Sequence, residues 1–147
     1  MSQKQQPSFK KRGARYKVSA KSERTVDDIV FDSKWESKCY VRLKDRIPEG
    51  ELHLQPKFII LEKFRGPDDK MVRAVTYSAD FLLGPPRVND DDELDPLNVV
   101  IDAKGHQTDV FKLKTKFWVS RYQARLWVPK NLTQLEEAIS YYEQLKQ

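Results

Sequence analysis

Sulfur and imidazole are scarce in this chain: one cysteine, Cys39, and two histidines, His53 and His106, in 147 residues. A lone thiol cannot close an intrachain disulfide, and so few Cys and His side chains exclude a Cys/His zinc site. Any metal bound must therefore take oxygen ligands. No apolar run approaches the ~20 residues of a spanning helix. The lysines near the N-terminus have no hydrophobic segment behind them, so we expect no secretory signal, no membrane partner and a reducing cytoplasm. Internal repeats are also absent. What remains is 39% apolar and 33% charged, the composition of one globular domain, which at this length buries roughly 68–70% of its unfolded surface without staples.

Charge is unevenly placed. Lys4, Lys10, Lys11, Arg12, Arg15, Lys17, Lys21 and Arg24 face only Glu23 in residues 1–24, a net +7 within a total of +5, so the remainder carries −2. The sequence thus divides into a flexible basic arm, 1–24, and a domain, 25–147. The arm is too poor in apolar residues to offset the entropy of ordering. Its cations, Lys10, Lys11, Arg12, Arg15 and Lys17 above all, suit a polyanion, since neutralising phosphates releases counterions; a solvated tail is the plainer reading.

Along the domain, Thr25-Val26 and Ile29-Val30-Phe31 flank Asp27-Asp28 as a small hairpin lacking the usual glycine. Ser33 opens a helix to about Arg46, with Trp35, Cys39 and Leu43 as its buried stripe, and Pro48 and Gly50 end it. Strands are expected at Leu52–Leu54 and Phe58–Leu61, then over the long run from Val72 to Leu83, and again at Leu97–Lys104. Asp90 to Asp95 reads as an acidic connector, without the glycine and spacing of a calcium loop. Thr108 or Asp109 caps a helix to about Tyr122 whose apolar side is Phe111, Phe117, Trp118 and Tyr122. A short strand, Ala124–Val128, and a last helix from Asn131 or Thr133 complete the chain. Trp118, Tyr122 and Trp127 read as core.

The chemistry sits on two strands. In Val99-Val100-Ile101-Asp102-Ala103-Lys104 the period of two sends Val99, Ile101 and Ala103 to one face and Asp102 with Lys104 to the other. The run Thr76-Tyr77-Ser78-Ala79-Asp80-Phe81 likewise sets a carboxylate among apolar neighbours. If the strands are adjacent, Asp80 and Asp102 converge. Two such carboxylates repel, and one keeps its proton unless a hard divalent cation sits between them. Mg²⁺, with Mn²⁺ as a substitute, would polarise a phosphodiester and acidify a bound water, while the Lys104 ammonium orients that water or offsets developing charge.

These residues carry a resemblance. Asp80 followed by Asp102-Ala103-Lys104, after a helix bearing Glu36, resembles the PD-(D/E)xK nuclease superfamily, whose restriction-endonuclease-like α/β core runs helix, three strands, helix, strand. More closely, Phe31-Asp32-Ser33-Lys34-x-Glu36, Leu54-Gln55-Pro56, Tyr77-Ser78-Ala79-Asp80-Phe81 and Asp102-Ala103-Lys104-Gly105-x-x-Thr108 through Lys112-Leu113-Lys114 resemble small phage-encoded proteins often described as domains of unknown function. Those are similar to phage Holliday-junction resolvases and endonuclease I-like enzymes. The likeness covers roughly residues 25–128. It implies a mixed central sheet with a C-terminal helix, Asp80, Asp102 and Glu36 as metal ligands, and Lys104 as the catalytic lysine. It further implies branched or recombining DNA as substrate, a homodimer, and, for a phage protein, the host cytoplasm. Ala79 stands where the superfamily has proline, which supplies no ligand.

Each residue also has a structural reading. Ser33 and Glu36 form a capping box on their own account. Asp102 and Lys104 could instead pair as surface ions of little worth, though charges at the end of so apolar a strand argue against it, and Asp80 can end a strand. Gln55 touches the site or is a turn amide, and His106 touches DNA or is an exposed histidine. Thr108, Lys112 and Lys116 line a phosphate-facing groove at a helix N-terminus or form a solvated face. A non-catalytic module that binds nucleic acid, or docks its acidic loop on a basic host protein, is the competing function. Convergence of Glu36, Asp80 and Asp102 separates the two readings.

Overall fold

The computed structural model describes residues 18–147. Lys10, Lys11, Arg12, Arg15 and Lys17 lie outside the described residues. The last part of the basic segment, Lys21–Arg24, forms a 3₁₀ turn whose Arg24 side chain donates to the Ser19 and Phe31 carbonyls. A two-strand hairpin follows, β1 (Thr25–Val26) and β2 (Ile29–Val30). Asp27 and Asp28 both take φ near +60° (51° and 63°), the turn that matches strand twist and that aspartate, after glycine and asparagine, best tolerates.

Among the described residues, three α-helices alternate with strands: α1 (Lys34–Arg46), α2 (Asp109–Tyr122) and α3 (Leu132–Leu145). Each begins where a short polar side chain stands ready to accept an orphan backbone N–H. Ser33 accepts from Glu36, Thr108 from Phe111 and Asn131 from Gln134. Gln123, in the left-handed region at φ 51°, ends α2.

The remaining strands are β3 (Leu52–Leu54), β4 (Lys57–Leu61), β5 (Phe64–Arg65), β6 (Met71–Val72), β7 (Val75–Ser78), β8 (Phe81–Leu83), β9 (Val99–Ile101) and β10 (Leu126–Trp127). The central sheet has the order β10-β9-β8-β3, parallel between β10 and β9 and antiparallel elsewhere. It is a mixed sheet in an α/β protein, as expected. α1 and α3 cover one face through Cys39, Leu43, Leu135 and Ile139 against Phe81, Leu83, Val99 and Ile101. α2 covers the other through Phe111 and Trp118, together with Phe58, Tyr77, Leu82 and Val100.

Three expectations need correction. The long run from Val72 to Leu83 is three strands: β6, then β7 paired with β4, then β8 paired with β3 and β9. The expected strand Leu97–Lys104 is ordered as strand only over Val99–Ile101, so Asp102 and Lys104 follow its end. Phe117, placed on the apolar side of α2, is 42% exposed, because the helix buries its Phe111 and Trp118 stripe and the next residue round turns outward.

The break before β8 is a shared bend. Leu54, Phe81 and Leu83 pack with α1 and α3, whereas Phe58, Ile60, Tyr77 and Ala79 pack with α2. An unbroken period of two would keep Leu54 with Phe58, and Ala79 with Phe81. Both strands change face together at Gln55-Pro56 and Ala79-Asp80, where Gln55 takes φ 52°. The bend is held by Gln55 N–H to Asp80 O at 2.9 Å and Ala79 N–H to Pro56 O at 3.0 Å. It absorbs the roughly 1–2 kcal/mol that a left-handed non-glycine residue costs.

On the α2 side, Arg87 lies over the Phe58 ring, 4.4 Å from its centroid, and donates to the carbonyls of Lys57, Asp90 and Asp92. The acidic segment is thus tied to the body as a connector. Among the described residues, no helix is long and apolar enough to cross a membrane.

Candidate functional site

Antiparallel pairing of β8 with β9 puts the start of one beside the end of the other, with Phe81 opposite Ile101. Asp80 immediately precedes β8 and Asp102 immediately follows β9, so two residues 22 positions apart meet at one end of the two central strands. The ladder carries them into register: Asp80 N–H donates to Ile101 O (3.1 Å) and Asp102 N–H to Trp127 O (2.8 Å). Asp80 Oδ2 then accepts from Ala103 N–H at 2.7 Å. The two carboxyl groups are near enough for the Asp102 charge to raise the Asp80 carboxyl.

Both are removed from water, Asp80 at 6% exposure and Asp102 at 0%. Tyr77 donates its hydroxyl to Asp102 Oδ2. Asp102 Oδ1 is buried and, among the described residues, has no hydrogen-bond donor. Its nearest compensation is the Lys104 ammonium, 3.4 Å away. Charges on a buried strand end are costly unless paired, so a surface ion pair does not describe this contact.

Glu36 stands beside them, buried on the first turn of α1. Its carboxylate does not close a capping box on Ser33. Oε2 accepts from Asp32 N–H (3.2 Å) and Oε1 from the Gln55 side-chain amide (3.2 Å). Gln55, in the bend, thus bridges Glu36 to the backbone of Asp80.

The electrostatics follow from this crowding. Burial, then the charges of Asp102 and Glu36, push the Asp80 carboxyl up to about 8. Glu36 is raised by burial and by Asp32. Burial works against the Lys104 ammonium, but the carboxylates of Asp102, Asp80 and Glu36 outweigh it and hold its pKa above the ordinary lysine value. Tyr77 is raised by burial and by Asp102.

An acid whose pKa is higher in the folded chain than in the unfolded one binds its proton more tightly when folded. Asp80 therefore contributes stability in full below about pH 4, and loses it as pH rises through about 8. The metal-free protein should melt at progressively lower temperature from pH 5 to pH 8.5. The expected loss is on the order of a few kcal/mol. Asp80→Asn should flatten the slope. Thermal melts without added cation check this, and a midpoint that climbs with pH over that range would contradict it.

Could this cluster hold a cation? Among the described residues, no group of three or more His, Cys, Asp and Glu side chains could hold a metal ion. The unit is the pair, with Asp102 Oδ1 lacking a donor; Glu36 adds its charge rather than a free oxygen. Mg²⁺ characteristically takes one or two carboxylates and fills its remaining positions with water and phosphate oxygens. The donor set fits that ion, and the orphaned Asp102 oxygen is the observation that fits it best.

Of the other residues singled out in the sequence, Thr108 caps α2, and Lys112 and Lys116 are exposed on that helix. His106 is exposed just past Lys104. The sequence reading missed Tyr77. The signal available was a tyrosine three residues before Asp80, but a straight strand would put the two on opposite faces.

Taken together, the fold and the cluster define a mixed α/β protein with a buried carboxylate pair and an ammonium at the end of its central strands. The model of a family described as Protein of unknown function (DUF1064) matches residues 15–137, most of the chain, and the chain belongs to that family. No curated protein and no solved structure matches it.

Proposed function

We propose that the protein is a Mg²⁺-dependent DNA endonuclease with a restriction-endonuclease-like core, acting on branched DNA as a homodimer. One observation carries this reading: Asp80 and Asp102 are buried side by side with a donorless oxygen and the Lys104 ammonium 3.4 Å from it. Two adjacent buried carboxylates are costly to a purely structural site, because each is taken out of water beside a like charge. The element order helix, strands, helix, strand supports the same core.

Asp80, Asp102 and the charge of Glu36 would hold Mg²⁺, which when bound supplies Lewis-acid polarisation of a phosphoryl oxygen and a more acidic water. Lys104, kept protonated by its neighbours, donates hydrogen bonds to the attacking water or to the charge gathering on the phosphoryl group. The N-terminal turn of α2, with Lys112 and Lys116, offers a dipole and cations to a neighbouring phosphate. Lys10, Lys11, Arg12, Arg15 and Lys17 would add contacts that ignore base sequence.

Purified protein should nick plasmid or resolve four-way junctions in Mg²⁺ or Mn²⁺, and EDTA should stop it. Cleavage absent across duplex, flap, junction and single-stranded substrates in either cation would overturn the proposal. In that event the competing reading, a non-catalytic binding module, would gain.

A further inference from the structure

We propose that Tyr77 is a positioning residue for the cation seat: its hydroxyl holds Asp102 Oδ2, so that Oδ1 is the oxygen presented to a bound cation. This rests on the reading of Asp80 and Asp102 as a cation seat.

A carboxylate has two equivalent oxygens and a broad torsion about its last bond. In this structure the two are made unequal. Oδ2 accepts from Tyr77, while Oδ1 has no donor among the described residues and lies 3.4 Å from Lys104 Nζ. Tyr77 can hold that orientation because its own ring is fixed. It is 4% exposed, with the Phe58 ring 6.4 Å away and stacked on one side and the Phe111 ring 6.3 Å away. Phe111 also lies under the Lys104 ammonium, 5.8 Å from its ring centroid. The phenol is thus braced between β4 and α2, and it transmits that rigidity to a residue at the end of β9.

The chemistry of the donor matters as well. A phenol hydroxyl satisfies one carboxylate oxygen without adding a positive charge, so it orders Asp102 without competing with a cation for its charge. Outer-layer donors of this kind, when removed, typically weaken metal affinity 10–100-fold.

The test is Mn²⁺ binding to the full chain, measured by calorimetry well below the melting temperature, for wild type, Tyr77→Phe, Phe58→Leu and Asp102→Asn. Wild-type binding that Asp102→Asn abolishes establishes the seat; if wild type binds no Mn²⁺, the seat and this inference fall together. With the seat established, Tyr77→Phe should bind 10–100-fold more weakly. Phe58→Leu disturbs the same packing but keeps the hydroxyl, and should fall short of that 10–100-fold loss whatever its melting temperature. Tyr77→Phe binding as tightly as wild type would overturn the inference, as would equal weakening in Phe58→Leu. A measurement on the unmodified protein stands beside these. The Tyr77 hydroxyl proton should remain protected from exchange in NMR spectra both before and after Mg²⁺ is added, and its loss on addition would overturn the inference.

Discussion

Asp102→Asn should yield a folded protein that no longer cleaves DNA at any Mg²⁺ concentration, and that melts at a higher temperature than wild type in metal-free buffer at pH 8. The two effects share one cause. Asp102 is fully buried beside Asp80, whose carboxyl is pushed up to about 8 by burial and by that neighbour. An amide keeps an oxygen for the Tyr77 hydroxyl and presents N–H groups to Asp80, removing the like-charge conflict. We expect a gain of about 0.5–2 kcal/mol, the range common for single stabilising substitutions. The same change removes one of the carboxylate charges that would attract a divalent ion. Calorimetry in EDTA and cleavage in Mg²⁺ read the two effects separately. A variant that is less stable without metal and still cleaves would show that the pair is structural.

Lys104→Ala is expected to behave differently. Its ammonium stays charged because Asp102, Asp80 and Glu36 surround it, against the cost of burial. It cannot then act as a base at neutral pH; its contribution is hydrogen bonds and charge in the transition state. Loss of one such group typically lowers kcat by about 10²–10³, and we expect that loss in single-turnover cleavage. Mn²⁺ affinity should be unchanged or slightly tighter, since a competing cation has left. Lys104→Arg should not restore the rate, because a planar guanidinium does not reproduce a compact ammonium. Cleavage by Lys104→Ala at the wild-type rate would remove the lysine from the chemistry.

What the sequence revealed, and what it hid, divides along physical lines. Ser33, Thr108 and Asn131 announce their helices because capping is a local affair of one side chain and one backbone N–H. The meeting of Asp80 with Asp102 was readable too, since each lies at the end of an apolar run and neighbouring antiparallel strands bring opposite ends together. The bend at Gln55 and Ala79-Asp80 was not readable. No glycine marks it, and a glutamine at φ 52° is sustained by contacts from distant parts of the chain. Glu36 illustrates the same limit: its place in a capping pattern was correct for Ser33, but its carboxylate answers to Asp32 and Gln55.

The corner in the β3–β4 and β7–β8 ribbon divides the support of Asp102 between two bodies. Its backbone belongs to the central sheet, gripped by α1 and α3, while its phenol partner sits on the outer limb packed against α2. Loosening α2, even at Trp118 on its far turn, would therefore reach the carboxylate through one hydroxyl while leaving the peptide frame around Asp80 in place. Remote damage of that kind would detune the cluster rather than dismantle it.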